Sequence, residues 1–72
     1  MFHVHADTGS FTFDAFGASE AEARQALRDG WNEHARQTGA EWTAEQIDDD
    51  ANVIEFEIGA CYRDGTRIPY QG

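Results

Sequence analysis

Apolar and polar residues alternate in two short stretches near the start of the chain. In "FHVHA" the apolar side chains fall on one side, while His3 and His5 fall on the other. The stretch "SFTFDAF" repeats the alternation, and Thr8-Gly9 between the two stretches suits a hairpin turn. A period of two is typical of strands with one buried face. The sequence therefore predicts a β-hairpin with an apolar face and a polar face.

The apolar spacing then changes to that of a helix. Ala23, Leu27 and Trp31 recur every four residues, which indicates an amphipathic helix with one buried stripe. Ser19 stands before this stretch and Gly39 follows it, and these residue types favour the N-cap and the C-cap respectively. We therefore predict one long helix between Ser19 and Gly39.

The second half of the chain predicts further short elements. Thr43 suits the start of a single helical turn in "EWTAEQI". The stretch "NVIEFEIG" alternates again and predicts a strand, with Ile54, Phe56 and Ile58 toward the core. In "CYRDGTRI" an Asp-Gly pair separates two short flanks, which is typical of a two-residue hairpin.

These elements predict an α+β fold with the order β-β-α-β-β. The 72 residues allow one domain with one small core, so residues 1–72 are expected to form a single domain. A small antiparallel sheet would pack one face against one α-helix and leave the other face in water. The predicted core consists of Leu27 and Trp31 packed on Phe2, Val4, Phe11, Phe13, Ile54, Phe56 and Ile58.

Charge adds a strong asymmetry to this picture. The net charge is −9, and residues 40–58 contain seven acidic residues and no basic residue. An excess of acids argues against nucleic acids and anionic membranes as direct partners, because both are polyanions. We expect these acidic side chains to point into water and to form a partner-binding surface. The candidate residues are Glu41, Glu45, Asp48, Asp49, Asp50, Glu55 and Glu57.

Three interpretations of the acidic segment remain open. It is a solvated surface without a partner, an adaptation to high salt, or a docking surface for a basic groove. Glu55 and Glu57 on one strand face would lie about 6.6 Å apart. That separation is comparable to the spacing of phosphates along a DNA strand. We favour the docking surface, because salt adaptation spreads acids over the whole surface whereas these are clustered.

Small size, acid excess and clustering on an α+β scaffold carry a resemblance over the whole chain. The protein resembles small acidic proteins of phages and other mobile elements, among them DNA-mimicking anti-CRISPR proteins. The resemblance implies a competitive inhibitor of a nucleic-acid-binding complex in a bacterial or archaeal host. The single cysteine favours the cytoplasm, and a domain this small offers little concavity for an active site, so we expect no enzyme. The inhibitor's partner would be the basic surface of a nucleic-acid-binding protein or CRISPR surveillance complex, bound by a monomer or homodimer. The alternative is a soluble acidic interaction domain without DNA mimicry, with Trp42 and Tyr70 as further interface candidates.

The pattern H-x-H is the one enzyme-like motif. His3 and His5 share a strand face, and two such imidazoles can bind one metal ion, with Asp14 or Glu55 as candidate carboxylates on that face. A second alternative is therefore a small metal-binding, hydrolase-like protein. Because the two histidines lack obvious further ligands, we expect no bound metal, no cofactor and no catalytic residues. Cys61 has no nearby base in the sequence, so we expect a structural thiol rather than a nucleophile.

Overall fold

The computed structural model describes residues 1–64 and 66–69 and confirms the α+β fold class. The elements are β1 (Phe2–Asp7), β2 (Thr12–Gly17), α1 (Glu20–Thr38), α2 (Ala44–Asp49), β3 (Asn52–Glu55), β4 (Tyr62–Arg63) and β5 (Thr66–Arg67). Strands β1, β2 and β3 form an antiparallel sheet in the order β2-β1-β3. The predicted C-terminal hairpin forms, but β4 and β5 make a separate two-stranded sheet instead of extending the first one.

The connection between β1 and β2 is longer than the predicted two-residue turn. The Thr8 backbone N–H donates to the Phe11 carbonyl at 2.9 Å, which closes a loop of residues 8–11. The Gly9 N–H donates to Asp7 Oδ1 at 2.8 Å, and Gly9 has a φ of 87° that favours glycine. Phe11 therefore lies in the loop and is 54% exposed, so its predicted place in the core is wrong.

The long helix begins and ends as predicted. The Glu22 N–H donates to Ser19 Oγ at 3.1 Å, and Gly39 adopts the left-handed conformation that ends α1. The buried stripe of α1 packs on the apolar face of β1 and β2. The core consists of Val4, Ala6, Ala15, Ala23, Leu27, Trp31, Ala44 and Ile47.

The suggested helical turn near Thr43 is a short helix that completes the core. Thr43 and Gln46 form a capping box, in which each side chain accepts the other residue's backbone N–H. Ile47 of α2 is buried against α1, and Trp31 Nε1 donates to the Trp42 carbonyl at 2.9 Å. These contacts hold α2 and the acidic segment against the long helix.

The predicted faces of the third strand are reversed. Val53 pairs with the buried Val4, while Ile54 pairs with His3 on the opposite face of the sheet. A shift of one residue in register moves every side chain of a strand to the other face, and pairing with β1 decides the register here. Ile58 lies beyond the strand and is 82% exposed. The predicted core positions of Ile54, Phe56 and Ile58 are therefore wrong.

Candidate functional site: an acidic face and a histidine–aspartate cluster

One of the acidic candidates is an internal structural residue. Arg24 Nη1 donates to Asp48 Oδ1 at 2.6 Å, and Arg28 Nη1 donates to Asp48 Oδ2 at 2.8 Å. Arg24 Nη1 also donates to the Asp48 carbonyl at 3.1 Å. Asp48 is only 9% exposed, so the expectation that it points into water is wrong. The two arginines lie one turn apart on α1, and together they hold the end of α2 against the long helix.

Four other candidates remain exposed around α2. We call Glu41, Glu45, Asp49 and Asp50 the acidic face. Glu45 and Asp49 lie one turn apart on α2, while Asp49 and Asp50 line a shallow hollow of about 260 Å³ with Trp42 and Gln46. Within residues 1–64 and 66–69, no ion pair involves a member of the acidic face.

The last two acidic candidates lie at a different place on the chain. Strand β3 ends at Glu55, so Glu57 follows the strand and the expected two-residue spacing along one strand face is absent. Glu57 pairs with Arg67, with Oε2 and Nη2 3.2 Å apart. Both glutamates line an open groove of about 620 Å³ together with Phe56 and Ile58. The structure thus divides the predicted acidic surface into the acidic face, an internal residue and this groove.

A histidine–aspartate cluster occupies the solvent-facing side of the sheet. His3 Nε2 and His5 Nδ1 both donate to Asp14 Oδ1, at 2.7 and 2.8 Å. Each of the three side chains offers one atom that can bind a metal, and these atoms lie within 4.8 Å of one another. That spacing suits a shared metal ion. Asp14 is therefore the carboxylate that joins the two histidines. The other sequence candidate, Glu55, pairs with Phe2 and is not part of the cluster.

An apolar groove borders the histidine–aspartate cluster. The Phe16 ring stacks on the His3 ring, with centroids 4.7 Å apart and planes 8° apart. His3 and Phe16 line a groove of about 240 Å³ whose other walls are Ile54, Phe56 and Tyr62. The sequence does not predict this groove, because its alternation places Ile54 and Phe56 in the core. The broken alternation at Phe16 was the one signal that an apolar side chain leaves the core face.

The two histidines lower the pKa of Asp14. The hydrogen bond from His5 contributes most and that from His3 contributes next, because both favour the ionised carboxylate. A carboxylate whose pKa is lower in the folded state adds stability above its unfolded pKa. That stability is lost as the pH falls through the folded value.

We therefore expect Asp14 to titrate below the ordinary aspartate value of about 3.9. Carboxyl-carbon NMR over an acid titration measures this directly. The same titration of His5→Ala should move the Asp14 midpoint upward, because the largest stabilising hydrogen bond is removed. An Asp14 midpoint that is the same in both proteins would contradict the assigned hydrogen bonds.

The remaining sequence candidates add little to these two sites. Trp42 is 57% exposed beside the acidic face, and Cys61 is exposed rather than packed in the core. Tyr70 and the glycine of the Asp64-Gly65 turn lie outside the described residues. In the part of the chain that the structure describes, no helix has the length and apolar character needed to cross a membrane.

The two sites have to be interpreted from their own geometry. Comparison with known proteins finds no match to a family model, to a curated protein or to a solved structure.

Proposed function

We propose that the protein is an acidic inhibitor that binds the basic surface of a nucleic-acid-binding protein through its acidic face. The observation that carries this proposal is the distribution of ion pairs. Four of the five arginines pair with acids outside the acidic face, which leaves its carboxylates available to an external partner. The net charge is −9, and seven of the acids lie in residues 40–58 without a basic residue. Four of these seven acids form the acidic face.

The acidic face is also held in a fixed arrangement. The capping box fixes the start of α2, and Asp48 fixes its end to Arg24 and Arg28. The backbone that carries Glu45 and Asp49 is therefore ordered before binding, which lowers the entropy cost of association. Trp42 beside them offers an aromatic ring on which an arginine of the partner can stack. These features suit a partner groove that contains arginine and lysine side chains.

DNA mimicry is the form of this function that we favour. A groove that binds phosphates through arginine and lysine also accepts carboxylates, because both groups are anionic hydrogen-bond acceptors. Competition with DNA is also the activity implied by the resemblance to DNA-mimicking anti-CRISPR proteins. The partner would then be a CRISPR surveillance complex or another DNA-binding protein. An acidic interaction domain that binds a basic partner outside its DNA-binding groove is the alternative.

Charge reversal on the acidic face tests this function. Changing Glu45, Asp49 and Asp50 together to Lys replaces each attraction with a repulsion, so inhibition should weaken by at least about 100-fold. The fold should tolerate the changes, because all three side chains are exposed. Lysines at positions 49 and 50 suit the C-terminal end of α2, whereas a lysine at position 45 in the first turn is unfavourable by about 0.3–1 kcal/mol. The measurement is competition with a labelled DNA duplex for purified CRISPR surveillance complexes and a panel of other DNA-binding proteins.

A matched variant changes the same number of charges elsewhere. Glu20, Asp29 and Glu33 are exposed on α1, and their joint change to Lys gives the same net charge as the first variant. It also breaks the exposed ion pairs of Glu20 with Arg24 and of Glu33 with Arg36, so circular dichroism has to show that both variants are folded. This control should inhibit nearly as well as the parent protein. Equal loss in both variants would show that total charge matters rather than the acidic face. Full inhibition by the Glu45, Asp49 and Asp50 variant would contradict the proposal, whereas binding without displacement of DNA would favour the alternative.

A further inference from the structure

We propose that His3, His5 and Asp14 form a binding site for a first-row divalent transition metal, for which Zn²⁺ is the probe. This site is separate from the acidic face and does not depend on the inhibitory function. The sequence predicts no bound metal, because Asp14 and Glu55 are only candidate carboxylates on that face and neither is an obvious third ligand beside the two histidines. The structure supplies that ligand in Asp14, which lies within hydrogen-bond distance of both rings.

The site arises from the pairing of two strands. His3 and His5 share a face of β1 because they are two residues apart. Asp14 pairs directly with His5 across the sheet and lies diagonally from His3. Directly opposed and diagonal side chains on one sheet face are the neighbours that can reach each other. The three donors therefore belong to the most regular part of the fold rather than to a loop.

The distances fit a metal ion after a small expansion. Zn²⁺ lies about 2.0–2.1 Å from histidine nitrogen and about 2.0–2.2 Å from carboxylate oxygen, so tetrahedral ligands are separated by about 3.3–3.5 Å. The two nitrogens now lie 2.7 and 2.8 Å from Asp14 Oδ1. Accepting a metal requires each nitrogen to move away from Asp14 Oδ1 by roughly 0.6 Å. The three ligand atoms already lie within 4.8 Å of one another, and the side chains are partly exposed, which gives them room to adjust.

The positions of the histidine protons also allow a metal ion to replace the two hydrogen bonds to Asp14. Both histidines donate a hydrogen to Asp14 in the metal-free protein. A neutral imidazole can carry its hydrogen on the other nitrogen, which frees the inward nitrogen to bind the metal without changing the net charge of the ring. The carboxylate then binds the metal in place of the two hydrogen bonds. The Phe16 ring stacked on His3 limits the directions in which the His3 ring can turn.

The donor set selects the class of metal. Imidazole nitrogen suits Zn²⁺, Ni²⁺, Cu²⁺ and Fe²⁺, whereas Mg²⁺ and Ca²⁺ prefer oxygen ligands alone. Two histidines and one carboxylate supply three ligands, and a site of this kind keeps at least one position open for water or another small ligand. The open position would face solvent beside the apolar groove of about 240 Å³.

Titration calorimetry with Zn²⁺ on the full chain, without a polyhistidine tag, tests the site. We expect one Zn²⁺ per chain, with NMR shifts at the His3 and His5 rings and not at His34. His5→Ala and Asp14→Asn should each weaken Zn²⁺ binding by at least about 100-fold. Losing a residue that only hydrogen-bonds to a metal ligand already lowers metal affinity by about 10–100-fold, and these substitutions remove ligands themselves. Substituted Co²⁺ should give the visible spectrum of nitrogen and oxygen ligands.

Asp7→Asn is the matched control. Asp7 lies on the same strand face as the histidines, its loss removes the same charge as Asp14→Asn, and asparagine can still accept the Gly9 N–H. This variant should bind Zn²⁺ as tightly as the parent protein. The proposal is overturned by a parent protein that binds no Zn²⁺. It is equally overturned by binding that survives His5→Ala, or by equal losses in Asp7→Asn and Asp14→Asn.

Discussion

Asp48→Ala is expected to lower the free energy of unfolding by about 3 kcal/mol. The substitution leaves Arg24 and Arg28 without the carboxylate that both contact, and it removes the ion pairs between α1 and α2. Breaking a buried ion pair by removing one partner costs about 3–5 kcal/mol. The Arg24 and Arg28 side chains are 30% and 32% exposed, so water compensates part of the loss, and we expect the lower end of this range.

Urea unfolding followed by circular dichroism measures this effect. Asp49→Ala is the matched control, because it removes the neighbouring acid from the same helix at an exposed position. It should change the free energy of unfolding by less than about 0.5 kcal/mol. Asp48→Asn should fall between the two, since the amide retains an acceptor oxygen without the charge. Similar stabilities for Asp48→Ala and Asp49→Ala would contradict the role given to Asp48.

Gly17→Ala should lower the free energy of unfolding by about 2–3 kcal/mol. A Cβ atom at Gly17 would lie 2.5 Å from the Ala23 backbone nitrogen and 2.9 Å from the Glu22 carbonyl carbon. These are backbone atoms in the first turns of α1, so they cannot move aside as a flexible side chain does. Glycine is therefore required here by the close approach of β2 to the helix.

Gly30→Ala is the opposite case and the control for this experiment. Gly30 is exposed on α1, and a Cβ atom there meets nothing within 4 Å. Alanine in a helix interior is favoured over glycine by about 1 kcal/mol, so this variant should be more stable than the parent protein. Thermal unfolding distinguishes the two substitutions by the sign of the change in melting temperature. A stabilised Gly17→Ala protein would contradict the contact between β2 and α1.

Local signals predicted the helices well. Ser19 and Gly39 cap the two ends of α1 as expected, and Thr43 caps the start of α2. Capping depends on residues within one turn, so the sequence alone can predict it. The sequence also predicted that His3 and His5 share a solvent-facing side, since strand alternation is local as well.

Contacts between distant segments explain the errors. The alternation in "NVIEFEIG" favours Ile54, Phe56 and Ile58 as the buried side chains, but the strand ends at Glu55. Its face is decided by pairing with β1, which lies about 50 residues earlier and places Val53 beside Val4. The burial of Asp48 depends on two arginines of α1, so nothing within the run of three aspartates distinguishes its first member from the others. Asp14 was a candidate ligand, but the sequence does not predict that it lies opposite His5, because that depends on the register of the β1–β2 hairpin.

The link between Asp48 and the two arginines also bears on how this sequence can diverge. Arg24 and Arg28 both contact Asp48 directly, so the effects of changes at these three positions on stability are coupled. Among residues 1–64 and 66–69, no ion pair imposes such a constraint on Glu45, Asp49 or Asp50. In an evolving lineage we expect the first three positions to vary together. The acidic face is then free to change at its own rate, following whatever surface it has to match.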